Sequence, residues 1–532
     1  MTVRYGWLVA AVVVAAAVPY LPTITDYFVQ DDFGTVMILT NRPWTTFPRW
    51  FTMSWMEEIW GAVPDEIRPF VAFTYQLTGK WAPHRPELHH VMNIALHTGN
   101  ALLVMSIGRR AVGLAPLSAA FAGIVFAVLP AQVESAAWIT GRVDSMPAFF
   151  YLATFLAYVK WRQQGRRLWY GWALLLFFVT LFSKQNAITM PATLAAYDLI
   201  VLDRNRRGSL LSCTKTWLPF ILMTAGYLAL RRAVLGHSVR GGVQSWLQVE
   251  TFLEIVGRHF QRVTLGHTTR LTDWELAGAV ALAILCIVAL WMRPSSWRMF
   301  LCFCVAWWSI GCAPILVAGY ESPRHVYLAS AAWAFLLALV ADALNPRLER
   351  PLLRSAAAAV AAVVIGVYLV RLHAILQDWH ALARISKSAV EEMNKEAAAA
   401  PPGTLLLVSV PKKSWEWGVP FVLQPPYQRE DLTNRVRVVT PWALYCCGQT
   451  LWLDYARRQL HAWMEAQHGP HGPSLIALHF APRSGELSRV TDAENPELRA
   501  LVPVLLQTDT PEALDIAVVD LLERVADRAR QP

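Results

Sequence analysis

The sequence is poor in charge. Only 16% of its 532 residues are Asp, Glu, Lys or Arg, against about 25% in soluble domains. An ordinary water-soluble chain is thereby excluded. Cysteine is scarce as well, with seven residues. Cys213, Cys286, Cys302, Cys304 and Cys312 lie in or beside predicted helices. Cys446 and Cys447 are adjacent, where a mutual bond would be strained. These cysteines do not make a disulfide framework. No second Cys or His pair stands at ligand spacing, which argues against zinc. There is no 34-residue repeat and no low-complexity tract. The net charge of +9 does not gather in a patch; the basic residues are dispersed between apolar runs, so nucleic acid is not the expected partner.

What is abundant is apolar sequence. Hydrophobic residues make up 55% of the chain, and tryptophan occurs 24 times. Runs of roughly 20 apolar residues recur, each long enough to cross the hydrocarbon core. The chain is expected to be a polytopic α-helical membrane protein of about eleven spans, at about 4–22, 89–108, 114–130, 145–161, 168–183, 187–203, 214–234, 274–292, 297–318, 326–344 and 354–373. The first run comes after a single basic residue, Arg4, and its end near "AAAVP" has the look of a signal-peptide cleavage site; either way, the next segment is expected outside the cytoplasm. With the N-terminus inside, every second loop is basic: Arg109 and Arg110; Lys160, Arg162, Arg166 and Arg167; Arg204, Arg206 and Arg207; Arg293 and Arg298; Arg347, Arg350 and Arg354. This is the positive-inside pattern, and it predicts a cytoplasmic N-terminus and a periplasmic C-terminus.

The expected organisation is a membrane domain, 1–373, with long outer loops at about 23–88 and 235–273, and a periplasmic domain, 374–532. In the first loop, "RWFTMSWMEEIW" (49–60) reads as a helix lying in the interface. The second carries Arg240, Arg258, Arg262 and Arg270 against the charge rule; it is either a solvated amphipathic helix or a set of cations facing an anion. The tail alternates strand-like runs ("TLLLVSV", "RVRVVT", "SLIALHF") with helix-like ones ("LWLDYARRQLHAWMEAQ"). It reads as a small α/β domain after an Ala/Pro-rich linker, "EAAAAPPG".

Ionisable residues near hydrocarbon are costly and mark function. Here they collect at the outer ends of spans. Asp31 and Asp32 come after the first span; His89, His90, Asn93 and His97 open the second. Gln132, Glu134, Arg142 and Asp144 fill the short loop between the third and fourth. Lys184 and Gln185 join the fifth and sixth; Glu321, Arg324 and His325 join the ninth and tenth. A midplane cluster would suggest a transporter. A cluster at the outer headgroup level suggests chemistry on a lipid-linked phosphate. His90, Asn93 and His97 share one helical face, which suits a metal or hydrogen bonds between helices; the second histidine lies about 10 Å further along. Lys184 either snorkels or binds phosphate.

Six stretches in order resemble the GT-C class of integral-membrane glycosyltransferases, above all the branch of tetratricopeptide-associated transmembrane O-mannosyltransferases and related bacterial proteins. "FVQDDF" is similar to "FVxDD", "IRPFVAFTYQL" to "YRPLxxLSF", and "HHVMNIALHTGNALLV" to "FHLVNxxLHxxNxLL". "VFAVLPAQVESAAWITGRVDSMPAFFYLATFLAY" is similar to "LFALHPVHVEAVAWIxGRxDLLAxLFFLLAxLxY", "LFSKQNAITMPATLAAYDLI" to "LLSKExAVxLPxxLLLxDLL", and "ESPRHVYLAS" to "AERYLYLPS". The match covers roughly 20–205 and 320–330. Leu129 and Gln132 replace the two histidines of "HPVH", Gln185 replaces the glutamate of "SKE", and the repeat array of that branch is absent.

The resemblance implies inverting transfer of a monosaccharide from a polyprenyl-phosphate donor to an acceptor hydroxyl of a protein or glycolipid at the outer face of the inner membrane. It makes Asp31 the expected base. Asp32, pointing elsewhere, would orient the acceptor, hold a divalent cation or raise the pKa of Asp31; a helix N-cap with an acidic neighbour is the structural alternative. Arg68, Arg142, Lys184 and Arg324 occupy motif positions and are the expected phosphate ligands. Asn93, His90, His97, Glu134 and Tyr327 stand behind them. No metal site is assigned, and membrane lipid is an expected partner. Asp31 and the cations are expected to converge on one lipid-facing pocket. The rival classes are a transporter or lipid flippase and a non-catalytic scaffold.

Overall fold

The computed structural model describes residues 2–56, 66–202, 209–239, 249–266, 273–318, 322–344, 351–409, 418–440, 454–466, 474–480, 487–507, 520–521 and 524. The chain packs as two units. One holds Met1–Ile24 and His90–Trp379; the other holds Thr25–His89 and His380–Pro532. The first long loop groups with the tail, and the tail's boundary lies between Trp379 and His380.

The first unit is helical. Each expected span contains a helix, from Thr2–Ala17 through Glu87–Arg110 and Arg142–Gln164 to Pro351–Ala399. Six described helices are long and apolar enough to cross a membrane, or seven if the pair Pro116–Val128 and Pro130–Ala137, bent by 54°, forms one span. The chain is thus a multi-pass membrane protein, and among the described residues fewer helices meet that length and composition than the eleven spans expected. Arg167–Leu181 and Ser330–Leu344 have 15 residues each, about 22 Å of helix against a core of about 30 Å. Tyr20, Ile94, Val133, Ala136, Ala137, Leu372 and Leu376 form one buried cluster that ties the 3₁₀ segment after the first helix, Val18–Thr25, to the segment before Arg142.

The "EAAAAPPG" stretch is no linker at its start. The helix Pro351–Ala399 runs through its alanines and stops before Pro401. Alanine is the best helix former, and proline supplies no amide donor.

The second unit contains a four-stranded sheet of order β2-β1-β3-β4, made from β1 (Thr404–Ser409), β2 (Val436–Val439), β3 (Leu475–Phe480) and β4 (Leu487–Thr491). β1 is parallel to β2 and β3, and β4 runs antiparallel to β3. Every residue of β1 is buried, as a central parallel strand requires. Helix Asp454–Glu465 lies within the helix-like run of the tail. The expected interface helix over 49–60 is different: a 3₁₀ segment, Trp44–Phe51, ends there and turns continue through Met56. Residues 57–60 lie outside the described residues. Its aromatic rings pack on the helix Pro69–Trp81, with Phe47 and Phe73 centroids 5.1 Å apart.

Candidate active site

In the first unit, the helix Arg142–Gln164 opens from a tight turn. Gly141 is required there, since a Cβ would lie 2.1 Å from the Glu134 carbonyl oxygen. That approach sets Arg142, which is fully buried and donates from Nε to Asn93 Oδ1 at 2.8 Å. Asn93 donates from Nδ2 to the Trp138 and Ile139 carbonyls at 2.7 and 3.2 Å. One amide side chain thus fixes both the guanidinium and the turn that carries it.

Two residues on, Asp144 gathers cations from distant segments. Lys184 Nζ donates to its Oδ1, and Arg324 Nε lies 3.2 Å from its Oδ2. Lys184 sits in extended backbone just before the 3₁₀ turn Gln185–Thr189, so its side chain leaves the helical path there. Arg324 also reaches Glu134 Oε1 at 2.5 Å and lies over the Trp138 ring, 5.0 Å from its centroid. Ser322 donates its hydroxyl to Glu134 at 2.7 Å. Removing such charges from water is costly unless each is paired. Arg142, Lys184 and Arg324 against Asp144 and Glu134 leave one net positive charge. A cavity of about 30 Å³ opens beside Asp144 and Lys184, lined also by Tyr151, Asn186, His325 and Tyr327. That is room for about two waters and is far below the volume of a sugar phosphate site.

Helix Val249–Leu265 packs beside the turns Pro130–Gln132 and Pro323–Val326. Gly266, at φ +81°, ends it against Pro130, where a Cβ would come within 2.4 Å. Arg258 and Arg262 on this helix are half-buried. Arg240, Arg270 and Glu321 lie outside the described residues.

His97 is part of a closed hydrogen-bond system. Its Nε2–H donates to the Ala127 carbonyl at 3.0 Å, so Nδ1 accepts, and the Tyr327 hydroxyl donates to it at 2.8 Å. Asn100 Nδ2 donates to the same hydroxyl at 3.0 Å. Both ring nitrogens are used, so His97, like Asn93, makes hydrogen bonds to neighbouring segments. His90 is buried one turn before Asn93. Gln132, in place of a motif histidine, donates to Ser330 Oγ at 2.7 Å. Among the described residues, no group of three His, Cys, Asp or Glu is arranged to hold a metal.

Asp31, Asp32 and Arg68 belong to the second unit. Asp31 occupies the N-cap position of the helix Asp32–Asn41, but its side chain makes no cap hydrogen bond. Asp31 is half-buried, while Asp32 is 1% exposed and its Oδ2 accepts the Val29 amide at 3.0 Å. Tyr427 donates its hydroxyl to the carbonyls of Asp32 and Phe33 at 2.9 and 2.7 Å. The two acids therefore differ: Asp32 is built into its turn, and Asp31 is the more accessible. Arg68 pairs with Glu66 and lies 5.4 Å from the Trp55 ring centroid. Asp31 and the cation cluster fall in different units.

Sequence reasoning singled out Arg142, Lys184, Arg324, Glu134 and Asn93 as polar residues near the ends of separate spans, and the fold joins them. It assigned no role to Asp144, the residue that holds two of the cations. The available signal was its place two residues after Arg142 in "GRVDS".

No family model matches the chain. It is 27% identical over 325 residues to human Protein O-mannosyl-transferase TMTC4, an alignment covering 54% of this chain and 42% of that protein. The chain thus spans less than half the length of that relative. Among solved structures, it is similar to ArnT from Cupriavidus metallidurans bound to undecaprenyl phosphate, with a TM-score of 0.50 and 16% identity over 94% of this chain and 95% of that one. It is also similar to the archaeal oligosaccharyltransferase AglB from Archaeoglobus fulgidus, with a TM-score of 0.51 and 12% identity over 89% and 69%. The relatives are transmembrane O-mannosyltransferases and the structural neighbours GT-C glycosyltransferases, so the resemblance seen in the motifs holds, and the membrane unit has their fold.

Proposed function

We propose that the chain is an inverting glycosyltransferase that moves a monosaccharide from a polyprenyl-phosphate donor to an acceptor hydroxyl of a protein or glycolipid. The observation that carries this reading is the meeting of Lys184 and Arg324 on Asp144, beside the buried Arg142. Lys184, Arg324 and Asp144 each lie in a different stretch of the resemblance, and Arg142 shares that of Asp144. The sequence similarity to O-mannosyltransferases supports glycosyl transfer, and the fold shared with ArnT, solved with undecaprenyl phosphate, supports a lipid-phosphate donor.

In this reading Asp31 accepts the proton of the acceptor hydroxyl as its oxygen attacks the anomeric carbon. The bond from that carbon to the phosphate oxygen breaks, and the polyprenyl phosphate leaves with the electron pair. Arg142, Lys184 and Arg324 stabilise the charge that grows on it, with Arg68 as a further phosphate ligand. Fixed cations serve this role well because they need no reorganisation as the charge develops. Glu134 and Asp144 keep them in place before the donor arrives. Asp32 holds the turn from which Asp31 projects, and a divalent cation at the pair is compatible with the same step. His97 and Tyr327 keep the helices in register beneath the cluster. The enzyme works at the outer face of the inner membrane, with its N-terminus in the cytoplasm and residues 374–532 in the periplasm.

The test is transfer in proteoliposomes from a radiolabelled polyprenyl-phosphate sugar to membrane-extract acceptors, alongside donor binding. Asp31→Asn should abolish transfer and leave donor binding intact. Lys184→Met and Arg324→Met should weaken donor binding. Full transfer by both Asp31→Asn and Asp32→Asn would remove the base assignment. A strain lacking the chain should lose one monosaccharide from its envelope glycans or glycoproteins by mass spectrometry.

A further inference from the structure

The first unit contains a second, larger cavity, at the other end of the same helices. It measures about 590 Å³ and is lined by Tyr5, Ser106, Arg109, Arg110, Lys160 and Gln163. Helix Glu87–Arg110 carries Asn93 in its second turn and Arg109 and Arg110 at its end. Helix Arg142–Gln164 carries Arg142 at its start and Lys160 in its last turns. Sixteen and eighteen residues separate these pairs, about 24 and 27 Å of helix. The two basic sites are thus nearly a hydrocarbon thickness apart.

Their electrostatics differ. At the Asp144 site Lys184 and Arg324 face carboxylates. At the second site no Asp or Glu lines the cavity, and among the described residues none of its three cations is ion-paired. The walls are built. Gln163 Nε2 donates to the Arg110 carbonyl at 2.6 Å, lashing the two helix ends together. Arg109 donates to the Leu114 carbonyl at 2.5 Å, and Lys160 Nζ stands 4.1 Å from the Trp169 ring centroid. The charge bias of membrane loops accounts for the sign of these residues. It does not require three cations from two helices around one roomy, acid-free cavity.

We propose that this cavity binds a phosphate group, that of an anionic phospholipid headgroup or a free phosphate, at the membrane face opposite the Asp144 cluster. Arg109, Arg110 and Lys160 supply charge, while Tyr5 and Gln163 supply hydrogen bonds. Basic pockets between membrane helices suit lipid headgroups for this reason, and the volume falls in the range of ligand sites. The proposal is independent of sugar transfer.

The test is native mass spectrometry of the full chain in detergent, titrated separately with phosphatidylglycerol, phosphatidylcholine and inorganic phosphate. Wild type should retain phosphatidylglycerol over phosphatidylcholine. Lys160→Gln should weaken it about fivefold, and the triple variant Arg109→Gln, Arg110→Gln, Lys160→Gln more than about a hundredfold. Lys160→Arg should restore binding, which separates charge loss from misfolding. Inorganic phosphate binding with the same dependence, in the absence of phosphatidylglycerol binding, supports the phosphate site and assigns a soluble source. Equal retention of phosphatidylglycerol by wild type and triple variant, equal retention of phosphatidylcholine, or no binding in either anionic arm overturns the proposal.

Discussion

Replacing Asp144 by Asn tests the cation cluster most directly. The side chain is 6% exposed and serves both Lys184 and Arg324. Breaking a buried pair by removing one partner costs about 3–5 kcal/mol, because a buried charge is left uncompensated. Arg324 keeps Glu134 at 2.5 Å, so the lower end, about 3 kcal/mol, applies. In domains of 150–250 residues each kcal/mol moves the melting midpoint by about 2–4 °C, and by less in longer chains. Asp144→Asn should therefore lower the midpoint by ~5 °C, read in detergent at one fixed scan rate. The double variant Asp144→Asn, Lys184→Met removes both partners, and it should be less destabilised than the sum of the singles by about 1–3 kcal/mol. A midpoint equal to wild type for Asp144→Asn, or strict additivity in the cycle, would refute the pairing and with it the preformed cluster.

Gly141→Ala forces a methyl toward the Glu134 carbonyl oxygen at 2.1 Å; it should cost at least about 1–3 kcal/mol in a melt and displace Arg142, lowering donor affinity as well. Tyr327→Phe leaves the His97 Nδ1 acceptor and an Asn100 donor without their hydroxyl, and should cost about 1–3 kcal/mol, checked by the same melt. In the second unit, burial holds the Asp26 carboxyl above its ordinary pKa, opposed by hydrogen bonding to His380 and by the charges of His380 and Arg384. The folded chain then binds that proton more tightly than the unfolded one. Its contribution to stability is full below the unfolded pKa and is lost as pH rises through the folded one. Melting midpoints from mildly acidic to neutral pH should show this limb, and Asp26→Asn should flatten it.

Much of the fold was legible because helices and strands obey local periodicity. The expected spans all contain helix, and "TLLLVSV", "RVRVVT" and "SLIALHF" contain β1, β2 and β3. The failures came where a local signal was ambiguous. Alanines read as a linker extend a helix to Ala399. An aromatic stretch read as an interface helix gives way to turns after Phe51. β4 went unnoticed, since "LSRVT" is short and polar.

By itself, then, the amino-acid order determined a multi-pass helical protein, the gathering of its polar residues near span ends, and which of them match glycosyltransferase motifs. These depend on runs of neighbours and on the cost of burying charge. Tertiary structure alone decided which polar residues are partners. Lys184 finds Asp144 across 40 positions and Arg324 finds Glu134 across 190. It also decided that the loop after Thr25 packs with the tail, and that Arg110 and Lys160 border one cavity. Electrostatic pairing acts over a few ångströms of space, and separation along the chain carries no measure of that distance until the helices have packed.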